Sequence, residues 1–272
     1  MSIITISRGS YSKGKEIAER VAQELGYDCI AREVLIEASE EFNVPELKLV
    51  QSISDAPSIL DRLSYGKERY IAFIQAAILK HFQRDNVVYH GLAGHFFVKN
   101  ISHVLKVKII ADLEVRIKNL MDRDKLSREE ALRFIENLDS QRRIWSKRLY
   151  GIDTSDASLY DLVIHIHNTI NDAVDIICKT SRSKDFQTTP ESQRMMDDLA
   201  LAAQVKAALV DVKLGIEVVA HDGVVVVKTE APHAAEKSLI KDMVEIAKNI
   251  PGVKQIKTDV VHIGPYTTPY SG

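Results

Sequence analysis

Apolar and polar positions along the first two thirds of the chain follow an alternating order of strand and helix. Residues 3–7 form a short, β-branched apolar run, which is typical of a buried parallel strand. A helix pattern follows the next loop, because Ile17, Val21 and Leu25 fall on one face and Gly26 can end the helix. Further strand patterns lie at 86–90, 104–111 and 162–167, and further helical patterns at 32–42, 67–84, 113–149 and 169–180. Within 113–149, Ser127-Arg128-Glu129-Glu130 has the N-cap spacing that predicts the start of a new helix. This alternation predicts an α/β domain whose mostly parallel sheet carries helices on both faces.

A second, smaller pattern begins after a change in composition. Residues 181–193 are polar, contain Pro190 and lack an apolar period, so they predict a linker. Beyond it, an αββαβ order is indicated by a helix at 194–210, strands at 216–220 and 224–230, a helix at 232–249 and a strand at 254–262. The Asp222-Gly223 pair between two alternating apolar runs is a hairpin signal. We therefore predict domains at 1–181 and 194–264, a linker at 182–193 and a mobile tail at 265–272.

Bulk properties narrow the class of protein. The 272-residue chain has a formal charge of −2, so no overall basic field favours nucleic acid as a partner. Cys29 and Cys178 lie far apart and outside any CxxC, which favours a reducing compartment over a disulfide framework. No apolar segment approaches the roughly 18 residues of a membrane span, and no signal peptide is visible. We expect a soluble, cytoplasmic protein.

The segment after the first strand reads GxxxxGK. Glycines let backbone N–H groups turn towards phosphate oxygens, the start of a helix adds positive partial charge, and Lys15 reaches the terminal phosphates. The predicted nucleotide-binding residues are Gly9, Ser10, Tyr11, Ser12, Lys13, Gly14, Lys15 and Glu16. Glu16 stands where many P-loops carry the Ser or Thr that ligates Mg²⁺, so any metal would be held largely by water and nucleotide. The alternative is a plain glycine-rich turn.

Residues 1–180 resemble the cytidylate-kinase-like family of P-loop nucleoside monophosphate kinases. The resemblance is carried by ITISRGSYSKGKEIAERVAQELG, by an Arg-Glu pair at 32–33, by RIKNLMDRDKLSREEA from Arg116 and by YGIDTSDASLYDLVI from Tyr150. It implies a P-loop kinase-type fold and phosphoryl transfer from ATP to a nucleoside monophosphate, with Mg²⁺ and a lid that carries arginines. Lys15, Arg123 and Arg142 are then the candidate catalytic residues.

The basic residues of the lid region have a second interpretation. Phosphoryl transfer needs positioning and positive charge more than covalent chemistry, and the 113–149 stretch supplies several cations. By resemblance, Arg142 and Lys147 stand where the family carries basic lid residues, and Lys147 is a candidate substrate-binding residue. A solvated helical face with alternating charges would look the same.

The acceptor side departs from the family pattern. Ala31 replaces an acid before the Arg-Glu pair, and Leu92 follows Gly91 where the family tends to have the arginine of a Gly-Arg-Gly run. A leucine cannot make the bidentate phosphate contact of an arginine. Arg32 and Gly91 remain as candidate substrate-binding residues. The phosphoryl acceptor, a nucleoside monophosphate or another small molecule, is left open.

Histidines and aromatic residues near these motifs have plain structural alternatives. His165 and His167 share one face of a strand, and His90 and His95 lie near the expected cleft, but we see no convincing set of further ligands and predict no metal site. Trp145 could stack on a base, but we favour a packed lid aromatic. Asp161 could belong to the site or form a cap or ion pair.

Residues 194–264 resemble a BON domain, a small non-catalytic module. The resemblance rests on the VKAAL helix, on VVVVKTEA after Asp222-Gly223 and on Pro251-Gly252-Val253 before the last strand. It implies binding of a ligand or contact with a protein. Two functions stay open: an ATP-dependent nucleotide kinase with a regulatory appendage, or a catalytically degenerate nucleotide sensor coupled to this module. A scaffold without ligand is disfavoured by Lys15 in its glycine-rich context.

Overall fold

The computed structural model describes residues 2–31, 33–43, 64–91, 94–167 and 169–262. Its larger sheet has five strands, β1 (Ile3–Arg8), β2 (Asp28–Ile30), β3 (Val87–Tyr89), β4 (Val104–Ala111) and β5 (Leu162–Ile166). All are parallel, in the order β2-β3-β1-β4-β5. The predicted parallel sheet is therefore confirmed. β2 was not predicted, because its three residues are too few to show an alternating pattern of apolar and polar side chains.

Seven helices of this unit lie within the described ranges. They are α1 (Gly14–Leu25), α2 (Glu33–Glu41), α3 (Ser64–Phe82), α4 (Gly94–Phe97), α5 (Leu113–Asp124), α6 (Arg128–Tyr150) and α7 (Asn171–Ser181). Alternation along β1 separates two cores, because Ile3 packs with α2 and α3 while Ile4 packs with α1 and α7. Helices thus cover both faces, as predicted.

The lid region is divided at Ser127. The Ser127 side chain accepts from the backbone N–H of Glu130, and the Glu130 side chain accepts from the backbone of Ser127, which completes a capping box at the start of α6. Lys125 ends α5 in the left-handed region, with φ 58°. The helix start predicted at this serine is confirmed, and α5 and α6 become two arms that pack together.

A smaller three-stranded sheet forms the C-terminal unit. The unit begins with the helix α8 (Pro190–Leu209). After it come, in chain order, β6 (Glu217–His221), β7 (Val224–Ala231), α9 (His233–Ala247) and β8 (Gln255–His262). β6 and β7 pair antiparallel through the predicted Asp222-Gly223 turn, and β7 and β8 pair parallel. The αββαβ order is confirmed. The predicted tail at 265–272 lies outside the described residues.

The helix α8 belongs to both cores. Met196, Ala200 and Ala203 pack into the core around α3, whereas Leu201 and Val205 pack against the smaller sheet. Thr189 caps this helix through a capping box with Ser192, so it begins four residues before the predicted 194. The sequence pattern showed only the first apolar residues of the helix and not its polar first turn. The boundaries of the linker at 182–193 stay a prediction.

No helix in the described parts of the chain is both long and apolar enough to cross a membrane.

Candidate functional site

The GxxxxGK segment forms a compact turn between β1 and α1. Gly9 donates its N–H to the Ile109 carbonyl at 3.0 Å, which fixes the start of the loop on β4. Tyr11 and Lys13 both adopt left-handed backbone angles, with φ 62° and 60°, so the chain doubles back before the helix begins. The Ser12 hydroxyl donates to the Gly9 carbonyl at 2.9 Å and closes the turn. The segment therefore forms a compact loop and not an extended strand.

Glycine is required at position 14 because the backbone there lies against Arg8. A Cβ at Gly14 would lie 2.6 Å from the Arg8 Cβ and 2.7 Å from its Cδ. Lys13, which immediately precedes α1, makes no side-chain cap. The N–H groups of the first turn of α1 and the positive end of its dipole are consequently left for an anion.

An open cavity of about 590 Å³ lies over this turn, between the loop and the arms α5 and α6. Lys15 lines the cavity, and its ammonium lies 3.6 Å from the Glu19 carboxylate in an exposed i,i+4 pair. Exposed pairs of this kind hold a lysine only weakly, since they contribute about 0.3–0.5 kcal/mol. The Lys15 side chain is thus free to turn to a ligand, and the cavity has the size typical of small-molecule sites.

Two partly buried guanidinium groups face the same cavity. Arg8 ends β1, and Arg142 extends from α6 with its Nη1 3.4 Å from the Arg8 carbonyl oxygen. Burial lowers the pKa of Arg142, and the neighbouring positive charges of Arg8 and Arg116 lower it further. Burial also lowers the pKa of Arg8, opposed by the carboxylate of Glu19. Like charges held together in this way produce a field that favours a bound polyanion.

A carboxylate from the lid region joins the loop to α5. Asp139 accepts from the Arg116 Nη2 at 2.6 Å and from the Ser10 hydroxyl at 3.2 Å. The Arg116 Nε donates in turn to the Ser10 carbonyl at 2.7 Å, and Asn119 donates to the Tyr11 carbonyl at 2.9 Å. Both arms are therefore fastened to the loop by hydrogen bonds that leave the cavity open.

The predicted lid cations separate into two groups. Arg123 lines the cavity, with its guanidinium carbon 4.8 Å from the centre of the Tyr11 ring, and forms an ion pair with Asp124. Arg142 also lines the cavity, together with the predicted residues Glu16 and Lys15. Lys147, in contrast, is exposed on α6 and is not part of the cavity wall.

The predicted acceptor side is described only in part. Arg32 and Leu92 lie outside the described residues. Ala31 donates its N–H to the Glu33 carboxylate at 2.8 Å. The pKa of Glu33 is lowered first by a hydrogen bond from its own backbone N–H and then by the bond from Ala31. Gly91 packs against Tyr89, because a Cβ there would lie 2.3 Å from the Tyr89 hydroxyl oxygen. Gly91 therefore allows a close turn after β3 and does not line the described cavity.

His90 lies where β3 ends, close to the charges of the loop. Burial lowers its pKa, the nearby Arg8 lowers it further, and its Nδ1 has no partner among the described groups. His95 is buried in a network with Tyr160, whose hydroxyl lies 3.4 Å from the His95 Nε2 and 3.3 Å from the Ser7 hydroxyl. These contacts agree with a structural role for His95.

Asp161 proves to be an ion-pair residue. Its carboxylate accepts from the backbone N–H of Lys106 at 2.8 Å and lies 3.1 Å from the Lys106 ammonium. Asp161 therefore fixes the start of β5 on β4, which agrees with the ion-pair interpretation given above. The structure does not describe the side chain of Trp145.

Arg8, Asn119 and Asp139 are site residues that sequence reasoning missed. Arg8 could have been found, because it directly precedes Gly9 at the carboxyl end of the first strand. Asp139 gave no signal, since it lies 129 residues from Ser10 in the chain. Asn119 makes its contact only because α5 crosses the loop.

Comparison with known proteins places the first unit among relatives. Residues 3–168 match the cytidylate kinase-like family. A cytidylate kinase of Ignicoccus hospitalis is 30% identical over 166 residues, which are 61% of this chain and 90% of that protein. A cytidylate kinase of Pyrococcus horikoshii is 26% identical over 179 residues, or 66% of this chain and 87% of that protein. A solved structure of an uncharacterized protein from Eubacterium ventriosum has a TM-score of 0.54 at 20% identity, over 67% of this chain and 99% of that one. The family match ends before α8.

Proposed function

The chain belongs to the cytidylate kinase-like family, and on that premise we propose that it is an ATP-dependent phosphotransferase. Its acceptor is a nucleoside monophosphate or a similar small molecule. The observation that carries the proposal is the left-handed turn of the loop, wound against Arg8 below a cavity that Lys15 and Arg142 also line.

The residues of the cavity fit a nucleoside triphosphate. Uncapped N–H groups at the start of α1 would bind phosphate oxygens, and Lys15 would reach the terminal phosphates. ATP would supply the phosphoryl group. Arg142 and Arg123 come from two different helices and would balance charge that builds up on the equatorial oxygens during transfer.

A Mg²⁺ ion also fits the cavity, but only with few protein ligands. The hydroxyl of Ser12 is engaged with Gly9 and that of Ser10 with Asp139, while Glu16 and Glu19 add carboxylate oxygens to the cavity wall. Mg²⁺ prefers oxygen ligands and keeps several waters. We infer that nucleotide phosphates, water and at most these carboxylates hold it, which would neutralise phosphate charge.

The acceptor is the least constrained part of the proposal. Ala31 offers no charge, its backbone N–H is engaged with the Glu33 carboxylate, and Leu92 offers no side-chain hydrogen-bond donor for a phosphate. We propose Arg32 and Lys147 as the remaining cations for an acceptor phosphate. CMP is the acceptor named by the relatives, and it is the first to test.

A coupled assay of ATP turnover tests the proposal. ADP formation is followed with ATP and Mg²⁺ against CMP, UMP, dCMP, AMP, GMP, shikimate and gluconate, with ATP binding measured in parallel by calorimetry. We expect turnover that depends on one acceptor. Binding of ATP without turnover on any acceptor would rule out the kinase, and a failure to bind ATP would rule out the site itself.

A second candidate is a nucleotide sensor that passes its state to the C-terminal unit. Ala31 and Leu92 favour it, and so does α8, whose two faces pack into both cores. A cavity of about 520 Å³ between the units is lined by Phe97, Met195 and Val219. We propose that the C-terminal unit acts as a BON-like module that binds a ligand or a protein.

Hydrogen exchange separates the sensor from the kinase. If ATP alone changes the exchange of α8 and β6, while no acceptor is turned over, the sensor accounts for the data. Exchange that changes only in the loop and the two arms would contradict the sensor.

A further inference from the structure

Three potential metal ligands meet where β4 and β5 end. His165 lies on β5 and His167 directly follows its last residue, Ile166, so the two-residue spacing directs both histidines to the same side of the sheet. The parallel register pairs Ile110 with His165 and Ala111 with Ile166, so Asp112 follows directly beside His167. The third ligand could not be seen in the sequence, because only strand pairing brings it next to the histidines.

The three side chains converge. The His165 Nε2 lies 3.1 Å from one Asp112 oxygen, and the His167 Nδ1 lies 3.7 Å from the other. The two imidazole rings have their centres 4.2 Å apart, and the potential ligand atoms of all three residues lie within 4.8 Å of one another. An ion can reach all three ligands after small side-chain rotations, because the paired ends of β4 and β5 bring the three residues next to one another.

The Asp112 carboxylate is not used by its own helix. Asp112 is the residue before α5, a position where an aspartate commonly accepts from an N–H of the first turn. Here it makes no such bond and points to the histidines instead. Each side chain is also partly exposed, at 37% for His165, 68% for His167 and 56% for Asp112, so an ion can enter from solvent.

We propose that Asp112, His165 and His167 form a binding site for a divalent transition-metal ion of the Zn²⁺ type. Two imidazole nitrogens and one carboxylate suit Zn²⁺, Co²⁺ or Ni²⁺, whereas Mg²⁺ prefers an all-oxygen shell. Three protein ligands leave a coordination position for water or a ligand atom. The site is separate from the phosphate cavity, whose walls do not include these residues.

A bound ion here would act on the phosphate site through a helix. Asp112 directly precedes α5, and α5 carries Arg116 and Asn119, which contact the loop at Ser10 and Tyr11. Metal binding would fix the residue from which this arm starts.

The chain offers a matched control in a second cluster with the same type of ligands. The Nδ1 atoms of His233 and His262 lie 3.4 Å and 3.9 Å from the same Glu236 oxygen. This cluster lies in the C-terminal unit, so the two can be removed independently. The double variant H233A/H262A therefore provides a background in which the cluster around Asp112 is examined alone.

Co²⁺ titration of metal-free protein tests the site. In the H233A/H262A background we expect visible absorption bands that saturate at one Co²⁺ per chain and are displaced by Zn²⁺. Because loss of an outer-shell partner already lowers metal affinity about 10–100-fold, loss of both imidazoles in H165A/H167A should lower it at least about 100-fold. D112N should weaken binding less, and H221A, which alters another exposed histidine, should leave it unchanged.

NMR of the unsubstituted protein keeps the test independent of the folding of any variant. Zn²⁺ should shift the imidazole signals of His165 and His167 together at low concentration. The proposal is overturned if these two signals do not respond, if the Co²⁺ bands are absent in the control background, or if they persist unchanged in H165A/H167A.

Discussion

The carboxyl end of the large sheet and the small C-terminal sheet are built on different principles. Around the large sheet, buried side chains include Ser10, Ser12, His90 and His95. In the C-terminal unit beyond α8, Thr229 is the one buried polar side chain among the described residues. The small sheet is held by apolar packing of residues such as Val225, Val227 and Met243.

This difference indicates that the first unit carries polar groups that lower its folding stability but suit a functional site. A buried polar group without full compensation costs about 1–3 kcal/mol, and partly buried cations such as Arg8 and Arg142 add to that cost. Perturbed groups of this kind cluster at functional sites. Several groups with shifted pKa values lie at or near the phosphate cavity. The stability of the first unit should therefore depend on ligand and pH, whereas that of the second should depend mainly on side-chain packing.

The largest effect is expected from Lys15→Ala. Loss of the ammonium removes the only cation of the α1 first turn, and removal of one group that stabilises charge in the transition state typically lowers turnover about 100–1,000-fold. ATP affinity by calorimetry and turnover in the coupled assay are the measurements. Lys179→Ala, on the exposed side of α7, is the matched control. Unchanged ATP affinity together with unchanged turnover in Lys15→Ala would contradict the proposed site.

A pair of buried methionines tests how far the two cores are independent. Met196 on α8 is fully buried in the core of the large unit, and Met243 on α9 is fully buried in that of the small one. Each change to Ala should lower the free energy of unfolding by about 2–5 kcal/mol. Met243→Ala should reduce hydrogen-exchange protection mainly in the small sheet, whereas Met196→Ala should reduce it in both, because α8 packs into both cores.

The opposite result would also be informative. If Met196→Ala left the protection of β6 and β7 unchanged, α8 would not couple the cores, and the sensor would lose its physical route. Equal losses everywhere in both variants would mean that the two units unfold as one.

Acid should destabilise the large unit through its buried histidines. Burial, followed by the charges of Lys108 and Lys106, lowers the pKa of His95 from 6.5 to about 4. The unfolded chain thus takes up a proton below about pH 6.5 while the folded chain stays neutral, so stability is full above that pH and falls as pH drops towards 4. Urea unfolding should show a loss of about 2 kcal/mol from this group between about pH 7.5 and about pH 5.

His95→Gln is the control for this prediction. In this variant the free energy of unfolding should depend much less on pH. Part of the dependence should remain, because burial also lowers the pKa of His90 and His103. An unchanged pH dependence in His95→Gln would contradict the assignment to His95.

The sequence predicted local features well and long-range contacts poorly. Short-range signals such as GxxxxGK, the capping residue Ser127 and the Asp222-Gly223 turn depend on neighbours within a few residues, and each is found as expected. The Asp139 contact with Ser10 and the Asp112 contact with His165 depend on strand order and helix crossing. No local pattern carries that information, so these parts of the sites could not be predicted.

A smaller effect is expected where the lid region is fastened to the loop. Asp139→Asn keeps the shape of the side chain but removes the charge that pairs with Arg116. The Arg116 side chain is only 12% exposed. Because a hydrogen bond to a charged group contributes about 1.5–3 kcal/mol, ATP affinity should fall by about tenfold or somewhat more. Calorimetry measures it. Glu136→Gln, on the exposed face of α6, should have no such effect. Equal affinity in both variants would show that Asp139 does not position the loop.

The smallest effect, confined to the C-terminal unit, is expected from two left-handed glycines. Gly215 has φ 70° and open space around it, whereas a Cβ at Gly223 (φ 84°) would lie 2.8 Å from the Gly252 carbonyl oxygen. Gly215→Ala should therefore cost only the backbone strain, about 1–2 kcal/mol, and Gly223→Ala more, because the β6–β7 turn must shift. Urea unfolding should rank them in this order. ATP affinity should stay unchanged in both, since the loop and its arms are not touched. A large loss of ATP binding in Gly223→Ala would mean instead that the hairpin reaches the phosphate site through α8.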